Sequence, residues 1–173
     1  MRMKTSRVEV VPYDEAWRSE FTKIESELRS ALGSLALAVE HVGSTAVRGM
    51  SAKPCIDVDI VISDRSDLAE TISRLDKIGY IHEGDLGIAD REAFRYEDKP
   101  HLAKHHLYVC TKSSPELHRH VTFRNFLREN PSAAMEYSAV KEEAARLFPD
   151  DIDKYIEHKS PTIARLYDMC GLK

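Results

Sequence analysis

Cys55-Ile56-Asp57-Val58-Asp59-Ile60-Val61-Ile62 is the stretch on which the fold turns. Side chains alternate faces along a strand, so Ile56, Val58, Ile60 and Ile62 line one side, and Asp57 and Asp59 project together from the other. Aspartate is a poor strand former, yet both carboxylates sit in the most apolar strand-like run of the chain. Two like charges on one face repel and need solvent or a counter-charge, and a divalent cation supplies one. A short way upstream, Gly43-Ser44 reads as a small-residue turn that offers backbone N–H groups and a hydroxyl to a phosphate. Turn and carboxylate pair together point to transfer of a phosphate-containing group.

Working outward, Leu35 to Val42 reads as a strand that runs into the turn. Before it, Asp14 can cap a helix carrying Trp17, Phe21, Ile24, Leu28 and Leu32 at helical spacing, with Gly33 as the stop. Arg7 to Val11 is an extended lead-in. After the acidic strand, Ser66 can cap a helix presenting Leu68, Ile72, Leu75 and Ile78 up to Gly79. Tyr80 to Glu83, Ala93 to Tyr96 and His105 to Thr111 are further strands. From Ser114-Pro115-Glu116 the pattern turns helical. Asn130-Pro131 separates two helices, Pro149 ends the second, Asp150 to His158 makes a shorter one, and Ser160-Pro161 starts the last. The expected architecture is α+β, a mixed sheet with flanking helices and a helical C-terminal half. It forms a single unit over residues 1–173, divided at about residue 112 into an α+β core and a helical part packed on it.

Composition narrows the class. A 42% hydrophobic, 31% charged chain with net charge -4 has no basic surplus for a nucleic-acid backbone, which disfavours a polynucleotide partner. Cys55, Cys110 and Cys170 match no zinc or redox spacing and read as buried reduced thiols. No long apolar segment is evident, so a membrane role is not expected and the cytoplasm is the default.

Val42-Gly43-Ser44-Thr45-Ala46-Val47 and Lys53-Pro54-Cys55-Ile56-Asp57-Val58-Asp59 resemble the signature of the GrpB family, itself similar to the nucleotidyltransferase superfamily. The resemblance continues through Arg91-Glu92-Ala93-Phe94-Arg95, His105-His106-Leu107-Tyr108-Val109-Cys110 and Phe123-Arg124-Asn125-Phe126-Leu127-Arg128. It implies a nucleotidyltransferase-like fold and a Mg²⁺-dependent transfer from a nucleoside triphosphate to a small acceptor, with Asp57 and Asp59 as metal ligands. The family is also similar to a domain appended to some dephospho-CoA kinases. That link implies the alternative of a non-catalytic nucleotide- or cofactor-binding module connected with coenzyme A. The superfamily usually adds a third carboxylate on a later strand, whereas His105 to Cys110 carries His106 and Tyr108 on the matching face. Glu92 can substitute, one metal can suffice, or catalysis is lost.

Cations are the other ingredient, because a triphosphate's charge must be offset. Gly43, Ser44 and Lys53 are the nearest phosphate contacts to the acidic strand, and Arg124, Lys141 and Lys159 are expected to close the far side of the cleft. Tyr137-x-x-x-Lys141 and Tyr155-x-x-x-Lys159 each stack a ring and a cation on one helical face. Among the histidines, His106 faces the acidic strand and is the candidate to orient a phosphate, bind a second metal or accept a proton. His101-x-x-x-His105 falls on loop and strand, so it does not form a helical zinc pair.

Overall fold

The computed structural model describes residues 7–172, so residues 1–6 and 173 of the expected unit lie outside it. A five-stranded mixed sheet is built from β1 (Ala38–Val42), β2 (Ile56–Ile62), β3 (Ile81–Gly84), β4 (Glu92–Arg95) and β5 (His105–Thr111), in the order β1-β2-β5-β4-β3. Only β2 and β5 run parallel; the other neighbours are antiparallel. The parallel pair requires a crossover, which α2 (Leu68–Asp76), β3 and β4 supply.

The alternation read from β2 holds. Ile56, Val58, Ile60 and Ile62 face α1 (Ala16–Leu32) and α2, in a core with Ile24, Leu28, Leu32, Leu75 and Tyr80. Ile24, Leu28 and Leu32 are completely buried, each contributing about 1.5–3 kcal/mol. Asp14 Oδ1 accepts the Ala16 N–H at 2.9 Å, and Gly33 ends the helix at φ 54°. The other face of the sheet carries α3 (Pro115–Glu129), whose Leu117 and Val121 pack on Val61 and Cys110. A second core joins α3, α4 (Pro131–Leu147) and α5 (Ile152–Met169) to Val47 and Met50, just beyond the Gly-Ser turn. The lead-in is extended: Val11 bridges Ala52, and the Val8 N–H reaches Pro149 O at 2.7 Å.

Three local expectations change. Gly33–Leu35 forms a 3₁₀ turn, so β1 begins at Ala38. Asp64, not Ser66, caps the turn before α2, since its carboxylate accepts the Ser66 N–H at 2.9 Å. The last two helices are one: α5 continues through Pro161. Proline leaves the carbonyl four residues earlier without its usual donor, and beside it Ser160 Oγ turns back onto Ile156 O at 2.6 Å.

Candidate active site

β1 ends in Gly43, whose φ of 75° lies in the left-handed region, and Ser44–Ala46 then make a 3₁₀ turn. Glycine is required twice over here, because a Cβ would also collide with Asp57 Oδ2. The turn therefore lies directly against the first carboxylate. Around it opens a cleft of about 290 Å³, lined by Gly43, Ser44, Lys53, Asp57, His106, Lys141 and Lys159, with Tyr137 and Tyr155 in its wall. Eight of the nine residues selected from the sequence fall on this cleft or beside it. Seven line it, and Asp59 follows on the same face of β2.

The lysines arrive from three elements. Lys53 comes from the segment before β2, Lys141 from α4 and Lys159 from α5. The tyrosine–lysine spacing does what the helical repeat implies. Lys141 Nζ lies 4.4 Å from the Tyr137 ring centre, and Lys159 Nζ lies 4.9 Å from that of Tyr155. Lys141 is 3% exposed, and its ammonium donates to Ser44 Oγ at 2.7 Å and Ser51 O at 2.5 Å. Burial, then the charges of Lys159 and Lys53, pull Lys141 down to about 7. Burial and Lys53 bring Lys159 to about 8. Cations are thus gathered where desolvation and mutual repulsion both oppose them.

Asp57 and Asp59 diverge despite their shared face. Asp57 is open to the cleft and accepts from His106 Nδ1 at 3.0 Å, as the β2–β5 register places Asp57 beside His106. That bond, with help from Cys55, lifts His106 to about 10, so the free site presents an imidazolium there and not a proton acceptor. Asp59 is 0% exposed. Its Oδ2 accepts from His120 Nδ1 at 2.6 Å, while Oδ1 is buried without a partner. Burial pushes the Asp59 carboxyl up, against the pull of His120. For His120 burial acts downward, but the Asp59 bond and the charges of Asp59 and Glu116 raise it overall. His120 Nε2 continues the chain to Glu116 at 3.3 Å. His120 carries no local sequence signal of its own; its pairing depends on how α3 crosses β2.

Arg124 is the residue not brought into the cleft. Its guanidinium is held by Glu40 Oε2 at 2.6 Å and by His41 O at 3.0 Å. Glu92 is excluded as a third acid. It pairs with Val109, so it lies on the α1–α2 side of the sheet, bound to Arg65 and His82. Cys55 and Cys170, expected to be buried, are partly exposed, and Cys55 lines the cleft; Cys110 is buried, and all three cysteines are free. His105 turns into the core against Tyr80, and His101 pairs with Glu27 at the surface. Among the described residues, no three or more His, Cys, Asp or Glu side chains converge as a metal cage, and no helix is long and apolar enough to cross a membrane.

The fold matches solved nucleotidyltransferase-type structures. The Cid1 poly(U) polymerase bound to MgGTP superposes with a TM-score of 0.53 at 14% identity, over 75% of this chain and 43% of that one, a likeness of fold alone. A conserved GrpB protein from Enterococcus faecalis superposes with a TM-score of 0.81 at 32% identity, covering 94% of this chain and 96% of that one. The UPF0157 protein YqkA of Bacillus subtilis is 32% identical over 91% of this chain, which spans only 45% of YqkA's length. A dephospho-CoA kinase of Mycolicibacterium paratuberculosis is 28% identical over 92% of this chain, again 45% of its own length. The sequence profile described as GrpB protein matches residues 7–169. With that match spanning nearly all of a chain whose fold is nucleotidyltransferase-like, this protein belongs to the GrpB family.

Proposed function

We propose that the cleft binds the phosphates of a nucleoside triphosphate and that the protein transfers its nucleotidyl group to a small acceptor, with Mg²⁺ at Asp57. The observation carrying this reading is the convergence of Lys53, Lys141 and Lys159 on a pocket whose one lining carboxylate is Asp57. A polyphosphate relieves the repulsion that lowers Lys141 and Lys159. Ser44 Oγ accepts from Lys141, which leaves the hydroxyl hydrogen free to donate to a phosphate oxygen. Gly43, without a side chain, lets backbone approach the ligand.

The residues fit one oxygen-seeking dication. Asp57 has a carboxylate oxygen not engaged by His106, and the unpartnered Oδ1 of Asp59 is the next available donor. Mg²⁺ takes few protein carboxylates and completes its shell with water and phosphate. When bound, it would offset charge on the reacting phosphate. The size of the cleft and the net charge of -4 favour a small acceptor over a polynucleotide.

A second reading, a binding module without turnover, draws on the sheet face that carries Asp57 and Asp59. Its neighbours on β5 are His106 and Tyr108, with no third acid. The similarity to part of a dephospho-CoA kinase makes a coenzyme-A-linked ligand the natural candidate for that role. Calorimetric titration with ATP, GTP, CTP and UTP, with and without Mg²⁺, tests binding; pyrophosphate release then separates the two. The transfer reading expects one nucleotide to bind with Mg²⁺ and to yield pyrophosphate, both lost in Asp57→Asn. Binding with no pyrophosphate, across a panel of small acceptors, leaves the module. Failure of all four to bind removes the transfer reading and leaves the module, which titration with coenzyme A then tests.

A further inference from the structure

Behind the Gly-Ser turn lies a larger cavity, about 650 Å³, of the size that encloses small organic ligands. Thr45 stands in the wall of both spaces, so the turn is a partition with the lysine cleft on one side and this cavity on the other. The two walls differ in chemistry. Here the cations are arginines: Arg18 from α1, Arg48 from the segment after the turn, and Arg128 from α3. Between them the wall is apolar, with Val47, Leu127, Ala134 and the 73% exposed Met135.

The charge count is lopsided. Glu15 is the one acid in the lining, and it pairs with Arg48 at 3.2 Å. His41, also in the lining, is driven down to about 4, chiefly by burial and then by Arg128, so it is neutral at physiological pH. Its Nε2 lies 2.8 Å from Thr45 Oγ1, and its ring stacks on Phe21, so it is a fixed wall and not a free cation. Arg128 is anchored through Nε to Ala46 O at 2.9 Å, which leaves the guanidinium's outer N–H groups to the cavity. Three arginines against one carboxylate leave a surplus of two positive charges around an apolar floor. The Glu15–Arg48 pair also shows what this wall accepts, since a carboxylate already docks there.

We propose that this cavity is a second ligand site, for a small organic anion: a carboxylate or phosphate ester on an aromatic or aliphatic body. The anionic group is held by Arg18, Arg48 and Arg128, and the body lies on Val47, Leu127 and Met135. Glu15 competes with the ligand for Arg48. The site stands on its own walls, whether or not the lysine cleft turns over.

Anilinonaphthalene sulfonate, an anion on an aromatic body, is a direct probe through its fluorescence on binding. The expected result is one saturable site. Because Arg18 and Arg48 are exposed, Arg18→Glu/Arg48→Glu leaves the fold intact and weakens binding about tenfold or more. Glu15→Gln tightens binding by freeing Arg48, while Lys53→Ala/Lys159→Ala leaves it unchanged. Any of four results overturns the proposal: no saturable binding, indifference to the arginine changes, loss in the lysine variant, or equal affinity for uncharged phenylnaphthylamine. Circular dichroism of each variant confirms that affinity, not folding, has moved.

Discussion

Asp57 and Asp59 begin alike and end differently. Both leave the same face of β2, two residues apart, each flanked in sequence by apolar residues. At the Asp57 end the face opens into the lysine cleft; at the Asp59 end α3 closes over it and His120 takes the carboxylate. Strand parity decides which way a side chain points, and the cover laid over it decides what it can do there. An open carboxylate among cations is available to a ligand. A buried one tied to a histidine first serves the packing of α3 on the sheet.

The comparison breaks most severely at Gly43. Gly43→Ala adds a Cβ against Asp57 at a φ that alanine rarely adopts, so it should lower Tm and abolish nucleotide binding together. Thermal melting and calorimetry read both effects. Next in size is the pair itself. Asp59→Asn should cost about 1–3 kcal/mol in urea unfolding, because His120 loses its charged acceptor within the fold. Asp57→Asn should cost less, about 1 kcal/mol or below, because the His106–Asp57 pair is partly open to solvent and screened, while removing Mg²⁺-dependent turnover. Equal unfolding costs for the two would erase the distinction between open and covered ends.

A subtler effect concerns pH. Lys141 and Lys159 hold an anion only when charged, and in the free protein they lose their protons near 7 and 8. Affinity for MgATP should therefore be highest below about pH 7 and fall about tenfold by pH 9. Stability should move in the opposite sense. A lysine whose folded pKa is depressed releases its proton before its unfolded counterpart, so unfolding binds protons and stability rises with pH from about 7 towards 10.5. Affinity that stays flat between pH 6.5 and 9 would count against these lysines as the anion contacts. Smallest of all, Glu92→Gln should leave turnover untouched and cost about 1 kcal/mol or less, since Arg65 and His82 hold it on the far side of the sheet.

The acidic strand was legible because its period of two is written into one short run, and the lysines because a ring and a cation four residues apart must share a helical face. His120 and Arg124 show where such reading stops. Both sit on α3, and their partners, Asp59 and Glu40, are 61 and 84 residues away. Only the crossing of α3 over β1 and β2 decides that one meets a buried carboxylate while the other is held away from the cleft. Glu92 failed as a third acid for a similar reason: a one-residue difference in register sets the face, and register belongs to the pairing of β4 with β5. Pro161 looked like a helix start because proline favours that position, yet the helix runs on through it.

The cleft draws its cations from Lys53, Lys141 and Lys159, so its parts span most of the chain. A polypeptide emerging from the ribosome can pair β1 with β2 early, and then has the turn and both carboxylates but none of the helical lysines. The cleft is complete only after α5 has left the exit tunnel and docked. Completion of the cleft is therefore an end-point report on synthesis: a chain stalled or cut before Lys141 would carry the acidic strand with Lys53 as the one cleft lysine.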